Sequence, residues 1–138
     1  MNSARAFELL RAVDLPVGDY AVFGSGPLLV RGIIEDARDI DVIARGTAWE
    51  RALDEGEVTY LPEEDVTVAG FFDGALSVGA TWAYGDVDID DLIDSAELFD
   101  GVPFVRIEHV IAYKRIADRD KDHYHLRRIE RWKQARPL

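Results

Sequence analysis

Asp39 and Asp41 stand one residue apart in the segment Arg38-Asp39-Ile40-Asp41-Val42-Ile43. Successive side chains of a strand alternate faces, so both carboxylates point the same way while Ile40, Val42 and Ile43 supply apolar packing. Two carboxylates held together repel each other, and such a pair suits a divalent cation. Mg²⁺ in particular takes carboxylate oxygens together with substrate phosphates. Upstream lies Phe23-Gly24-Ser25-Gly26, a small-residue turn whose backbone N–H groups suit a phosphate. Pro27 removes one N–H from that cradle and narrows it. A plainer reading stays open beside this one. The acids would then be strand-end groups paired with Arg38 or Arg31, and Ser25 a turn or cap residue.

The elements that must position these residues are short. Ser3 caps a helix running to Val13, which Pro16 and Gly18 end. Residues 20–23 read as a buried strand, Gly24-Ser25-Gly26 as its turn, and Pro27 as the opening of a short helix capped by Gly32. Residues 39–44 form the acid-bearing strand. Thr47-x-x-Glu50 is a capping box for a helix that Gly56 closes. A strand follows over 57–61, and then a hairpin of 66–72 and 75–81 around Asp73-Gly74. The pattern predicts a helix over 90–98, a turn at Asp100-Gly101, a strand over 102–107, and helices over 108–118 and 121–136. Alternating strands and helices imply an α/β or α+β chain, a small mixed β-sheet carrying packed helices with a helical pair at its C-terminal end.

A chain of 138 residues fits one domain with a real core. It contains no cysteine, which excludes disulfides and thiolate ligands and makes zinc a poor fit. No apolar run reaches membrane-spanning length and no signal pattern opens the chain, so a cytoplasmic protein with no membrane partner is expected. Charge is uneven. Residues 1–105 hold 6 basic and 22 acidic side chains, whereas residues 106–138 hold 10 basic and 5 acidic. The basic tail is either a solvated helix packed on an acidic body or a cationic wall facing a polyanionic ligand. The net charge of −11 argues against a general nucleic-acid binder. His123 and His125 would face different sides of a helix, and the three histidines show no metal spacing. Trp49, Trp82 and Trp132 read as core or rim aromatics.

These residues resemble the nucleotidyltransferase superfamily, the polymerase-beta-like fold. Its signature is an apolar residue, Gly, then Gly or Ser, followed by two acids separated by one apolar residue; here that is Phe23-Gly24-Ser25 with Asp39-Ile40-Asp41-Val42. The stretches Gly101-Val102-Pro103-Phe104, Glu108 to Arg115, and Arg119-Asp120-Lys121-Asp122 are similar to the tail of small bacterial members. The resemblance covers roughly residues 20–130. It implies that Gly24 and Ser25 contact nucleotide phosphates, that Asp39 and Asp41 hold Mg²⁺ (or Mn²⁺), and that an NTP donates its NMP to a hydroxyl acceptor. The acceptor could be a small molecule, an RNA end or a protein side chain. Lys114 and Lys121 are candidates for phosphate contact, lysine being a suitable point charge for a triphosphate. Alternatively Lys121 and Asp122 only cap the last helix and pair with the acidic body.

Active members carry a third acid on a neighbouring strand. By order, that position falls in Leu76-Ser77-Val78 ahead of Trp82, so Ser77 replaces it. A hydroxyl cannot serve as an anionic metal ligand or general base at neutral pH. Asp86 or Asp88 could substitute if 86–90 were a strand, and Asp88 is then the third catalytic candidate with Asp39 and Asp41. Without a third acid, the resemblance implies a catalytically reduced member that binds a nucleotide or a protein partner, as in a toxin–antitoxin pair. A homo-oligomer joining acidic body to basic tail is the remaining expectation.

Overall fold

The computed structural model describes residues 1–136. Among them a seven-stranded mixed sheet carries six helices. The strands are β1 (Tyr20–Phe23), β2 (Ile40–Ala44), β3 (Glu57–Leu61), β4 (Val66–Phe71), β5 (Leu76–Gly79), β6 (Glu97–Phe99) and β7 (Val102–Phe104), in sheet order β3-β4-β5-β2-β1-β7-β6. β2 is central, antiparallel to β1 and parallel to β5. The helices are α1 (Ser3–Val13), α2 (Gly26–Val30), α3 (Gly46–Glu55), α4 (Ile89–Asp94), α5 (Ile107–Ala117) and α6 (Asp120–Ala135). No helix among the described residues is long and apolar enough to cross a membrane.

The core follows from short apolar runs. Val22, Phe23, Ile40, Ile43, Leu76 and Val78 are almost wholly buried, and so are Leu28 of α2 and Val110 of α5. Alternation separates the two faces of β4 and β5. Leu76, Val78 and Ala69 are buried on one face, whereas Ser77, Gly79, Val68 and Gly70 on the other are only half-buried. No such relief exists for β3, an edge strand exposed along its whole length.

Several sequence expectations change. The helix expected over 90–98 stops at Asp94, and Glu97–Phe99 is a strand paired with β7. Asp100 and Gly101 both have positive φ (54° and 82°), the backbone of a tight hairpin turn, and that turn draws the preceding residues into a strand. Thr47 is not a cap: α3 starts at Gly46 after an extended Arg45, with no side-chain cap. Asn2, not Ser3, caps α1 by accepting from the Arg5 N–H. The strand expected over 102–107 ends at Phe104, since Ile107 already opens α5.

Residues 86–88 form no strand. Asp88 is extended and exposed, and its carboxylate accepts the Asp91 N–H at 3.3 Å as the N-cap of α4. Val87 and Ile89 alternate as a strand would, but a capping aspartate followed by acids in the first turn and buried Leu92 and Ile93 favours a helix.

Candidate functional site

β1 and β2 run antiparallel with Phe23 opposite Asp41, so the turn after β1 lies against the acid strand. Gly24 holds φ at +64°, and a Cβ there would stand 2.7 Å from Asp41 Oδ2. Only glycine meets both demands, the left-handed backbone and the close approach. Gly26 is constrained differently: a Cβ would strike Val22 Cγ1. The turn therefore presses bare backbone onto the carboxylate. Ser25 follows as the residue before α2, half-buried, with its side chain making no cap hydrogen bond.

Asp39 is exposed and Asp41 half-buried. Neither forms an ion pair among the described residues. The plainer expectation, pairing with Arg31 or Arg38, is not what the fold does. Arg31 instead reaches Glu97 at 2.8 Å and the Pro27 carbonyl at 2.8 Å. Burial, and then the charge of Asp39, push the Asp41 carboxyl up to about 6; Lys121, Arg119 and Lys114 pull the other way without restoring the ordinary value. An acid with such a burden is one that a bound cation would relieve.

Ser77 stands directly beside Asp41 in the parallel β2–β5 pair. Among the described residues no three His, Asp or Glu side chains gather in a metal-holding group. Asp88 is not brought to the acid pair: it lines a separate cavity with Asp86, Asp91, His109 and Tyr113.

The cationic side comes from α5 and α6. Lys114 is fully buried, its ammonium donating to Asp122 Oδ1 at 3.1 Å. Arg119 donates to the same carboxylate through Nε at 2.6 Å, Nη2 at 3.1 Å and its backbone N–H at 3.1 Å. Burial would raise the Asp122 carboxyl, but these donors overcome it and hold the group well below the carboxylate range. Burial lowers Lys114, and Asp122 counters that. The pair thus joins α5 to α6 and does not reach the acidic body. Lys121 is exposed, has no ion-pair partner among the described residues, and acts on Asp41. It is the lysine free to meet a phosphate, whereas Lys114 is committed to Asp122.

Aromatic side chains frame this region. Trp82 lies 4.5 Å from Phe23 and 5.2 Å from Tyr113, ring centre to ring centre. Arg119 also donates to the Tyr84 hydroxyl at 3.1 Å. Glu64, which nothing in its turn sequence marks, shares a cavity of about 260 Å³ with Asp41 and Ser77.

Compared with protein-family models, curated proteins and solved structures, the chain matches none of them.

Proposed function

We propose that the chain is a small nucleotidyltransferase-superfamily protein that binds an NTP with Mg²⁺ and transfers its NMP to a hydroxyl acceptor. One observation carries the reading: Asp41 on the central strand β2 and Asp39 just before it have no ion-pair partners among the described residues, and Asp41 is pressed against the bare backbone of Gly24. A structural role for the half-buried Asp41 would give it a partner. The donor set suits Mg²⁺, which is commonly held by one or two carboxylates plus substrate phosphates. Asp39 and Asp41 would hold it, and Mn²⁺ would substitute. When bound, the ion offsets triphosphate charge and favours ionisation of the acceptor hydroxyl.

The chain's own residues supply the rest. The Gly24–Ser25 backbone receives the β- and γ-phosphates, with Lys121 as an exposed cation for them. The acceptor oxygen bonds to the α-phosphorus as the bond from that phosphorus to the bridging oxygen breaks. Pyrophosphate leaves on the Gly24–Ser25 side, and the acceptor proton passes to water. Catalysis rests on positioning and charge stabilisation.

A second reading is favoured by Ser77 at Asp41's neighbouring position: a catalytically reduced member that binds nucleotide, or a protein partner, without turnover. The first experiment is calorimetric titration of each NTP with Mg²⁺ and then with EDTA, repeated on Asp39→Asn and Asp41→Asn. Mg²⁺-dependent binding lost in both variants supports the site; equal affinity in folded variants refutes it. Ser77→Asp then separates the readings. A rise in NMP transfer or NTP hydrolysis means that the missing acid limits the natural protein, and no change means that turnover never depended on it.

A further inference from the structure

We propose that the uncovered face of β5 and β4 beside Asp41 is the acceptor site, shaped for a small uncharged molecule with an apolar body and a hydroxyl. This rests on the transfer reading above.

The position follows from reaction geometry. In phosphoryl-type transfer the attacking and leaving oxygens lie roughly in line. Pyrophosphate leaves toward the Gly24–Ser25 turn, which follows β1 on one side of β2. The acceptor must then enter from the other side, where β5 and β4 continue the sheet. A cavity of about 260 Å³ lies there, bounded by Asp41 and Ser77 and walled by Val66, Val68 and Trp82. Its size is that of a fragment-sized ligand, below the range of about 300–1,000 Å³ typical of drug-sized sites. Glu64 would repel an anion such as an RNA end, and the valine walls penalise any charged group. The Trp82 side chain adds an aromatic wall to the valines.

Two glycines on this face have no folding reason to be glycine. Gly70 and Gly79 lack the positive φ that demands the residue. A Cβ at Gly70 would meet the Glu57 carbonyl at 3.7 Å, and one at Gly79 the Thr81 carbonyl at 3.6 Å, both ordinary contacts. Glycine in a strand costs about 0.5–1 kcal/mol relative to alanine. What the two positions share is the half-buried face that carries Ser77 and Val68. Their missing side chains keep the floor of the site open. Gly79 lines the cavity beside Asp41, and Gly70 lines an adjoining one of about 550 Å³ that shares Ser77 and Val68 with it.

The test is NMR titration of the full isotope-labelled chain with 2-phenylethanol in the presence of MgATP, with calorimetry of MgATP on the same samples. Shifts centred on Val66, Val68 and Gly79 are expected. Gly79→Val should weaken phenylethanol binding by at least about tenfold and leave MgATP affinity unchanged. Gly79→Ala, a smaller change, should weaken it in part, which keeps the test valid if the valine variant misfolds. An undiminished response in either folded variant overturns the proposal. So does a single-stranded hexanucleotide that shifts the same residues where phenylethanol does not. MgATP binding without phenylethanol binding overturns the acceptor site alone. Phenylethanol binding without MgATP binding in the natural protein overturns the transfer reading, and the acceptor role with it.

Discussion

Replacing Gly24 with alanine tests the contact between the turn and Asp41. Two costs add. The first is conformational: at φ +64° an L side chain costs about 1–2 kcal/mol. The second is steric, because the new Cβ would stand 2.7 Å from Asp41 Oδ2 and 3.3 Å from Asp41 Cβ. Asp41 sits on a strand hydrogen-bonded on both sides, so its backbone cannot yield and its side chain must turn instead. An off-rotamer side chain costs about 0.5–1.5 kcal/mol. The sum is about 1.5–3.5 kcal/mol. Gly101→Ala is the matched control. Its φ is +82° and its Cβ would meet nothing within 4 Å, so only the first cost applies. Urea unfolding should therefore rank Gly24→Ala below Gly101→Ala by about 1 kcal/mol. Calorimetry should show MgATP affinity reduced by at least about tenfold, or about 1.4 kcal/mol, in the first and unchanged in the second. Equal stability and equal affinity in the two variants would refute both the contact and its link to nucleotide.

Asp41→Asn should stabilise the protein near neutral pH. With the folded carboxyl at about 6 against 3.8 in the unfolded chain, stability is lost as pH rises through that window. The loss reaches about 2–3 kcal/mol at pH 7. The variant should gain up to that amount at pH 7 and nothing at pH 3.5, read from denaturant midpoints; a destabilised variant at pH 7 would contradict the assignment. Asp122→Asn should behave oppositely. It leaves Lys114 buried without its anion and should cost about 3–5 kcal/mol. In the natural protein the contribution of Asp122 should persist above the carboxylate range and fade as pH falls below it, since its folded pKa is depressed. A urea midpoint unchanged by the substitution would remove the pair from the account of the α5–α6 junction.

The elements around the acid pair were legible because each signal was local. β1 is an uninterrupted apolar run and β2 an apolar run broken only by Asp41, and both lie within a residue of their expected bounds. β6 was hidden. Leu98, which with Leu92 and Ile93 gives residues 90–98 a helical apolar pattern, is exposed in the structure, and the hairpin turn at Asp100-Gly101 decides its neighbours' conformation. Asp88 misled for a related reason, since alternating Val87 and Ile89 are compatible with a strand as well as with the entry to a helix. Lys114 and Lys121 are indistinguishable as residue types. Their roles separate only through the turn between α5 and α6, which brings Asp122 under Lys114 and leaves Lys121 exposed. Nothing in one dimension marks Glu64, whose place beside Asp41 depends on how the β3–β4 hairpin closes.

The departures from good folding practice in this chain gather in one place. Asp41 is a carboxylate half-buried beside another and without an ion-pair partner among the described residues. Gly24 holds a left-handed backbone against it. Gly70 and Gly79 decline side chains that would fit, and the buried Trp82 N–H has no partner among the described residues. Each is destabilising by itself, and all of them line or adjoin the same stretch of β2 and β5. Selection for stability alone would scatter or erase such features. A fold that needed only to be stable would place an asparagine at 41 and alanines at 70 and 79 with no change of topology. Their concentration around Asp41 is what a site that must hold charge, bare backbone and open floor together requires. The Lys114–Asp122–Arg119 cluster joins α5 to α6, and its two cations are, with Lys121, those that act on Asp41.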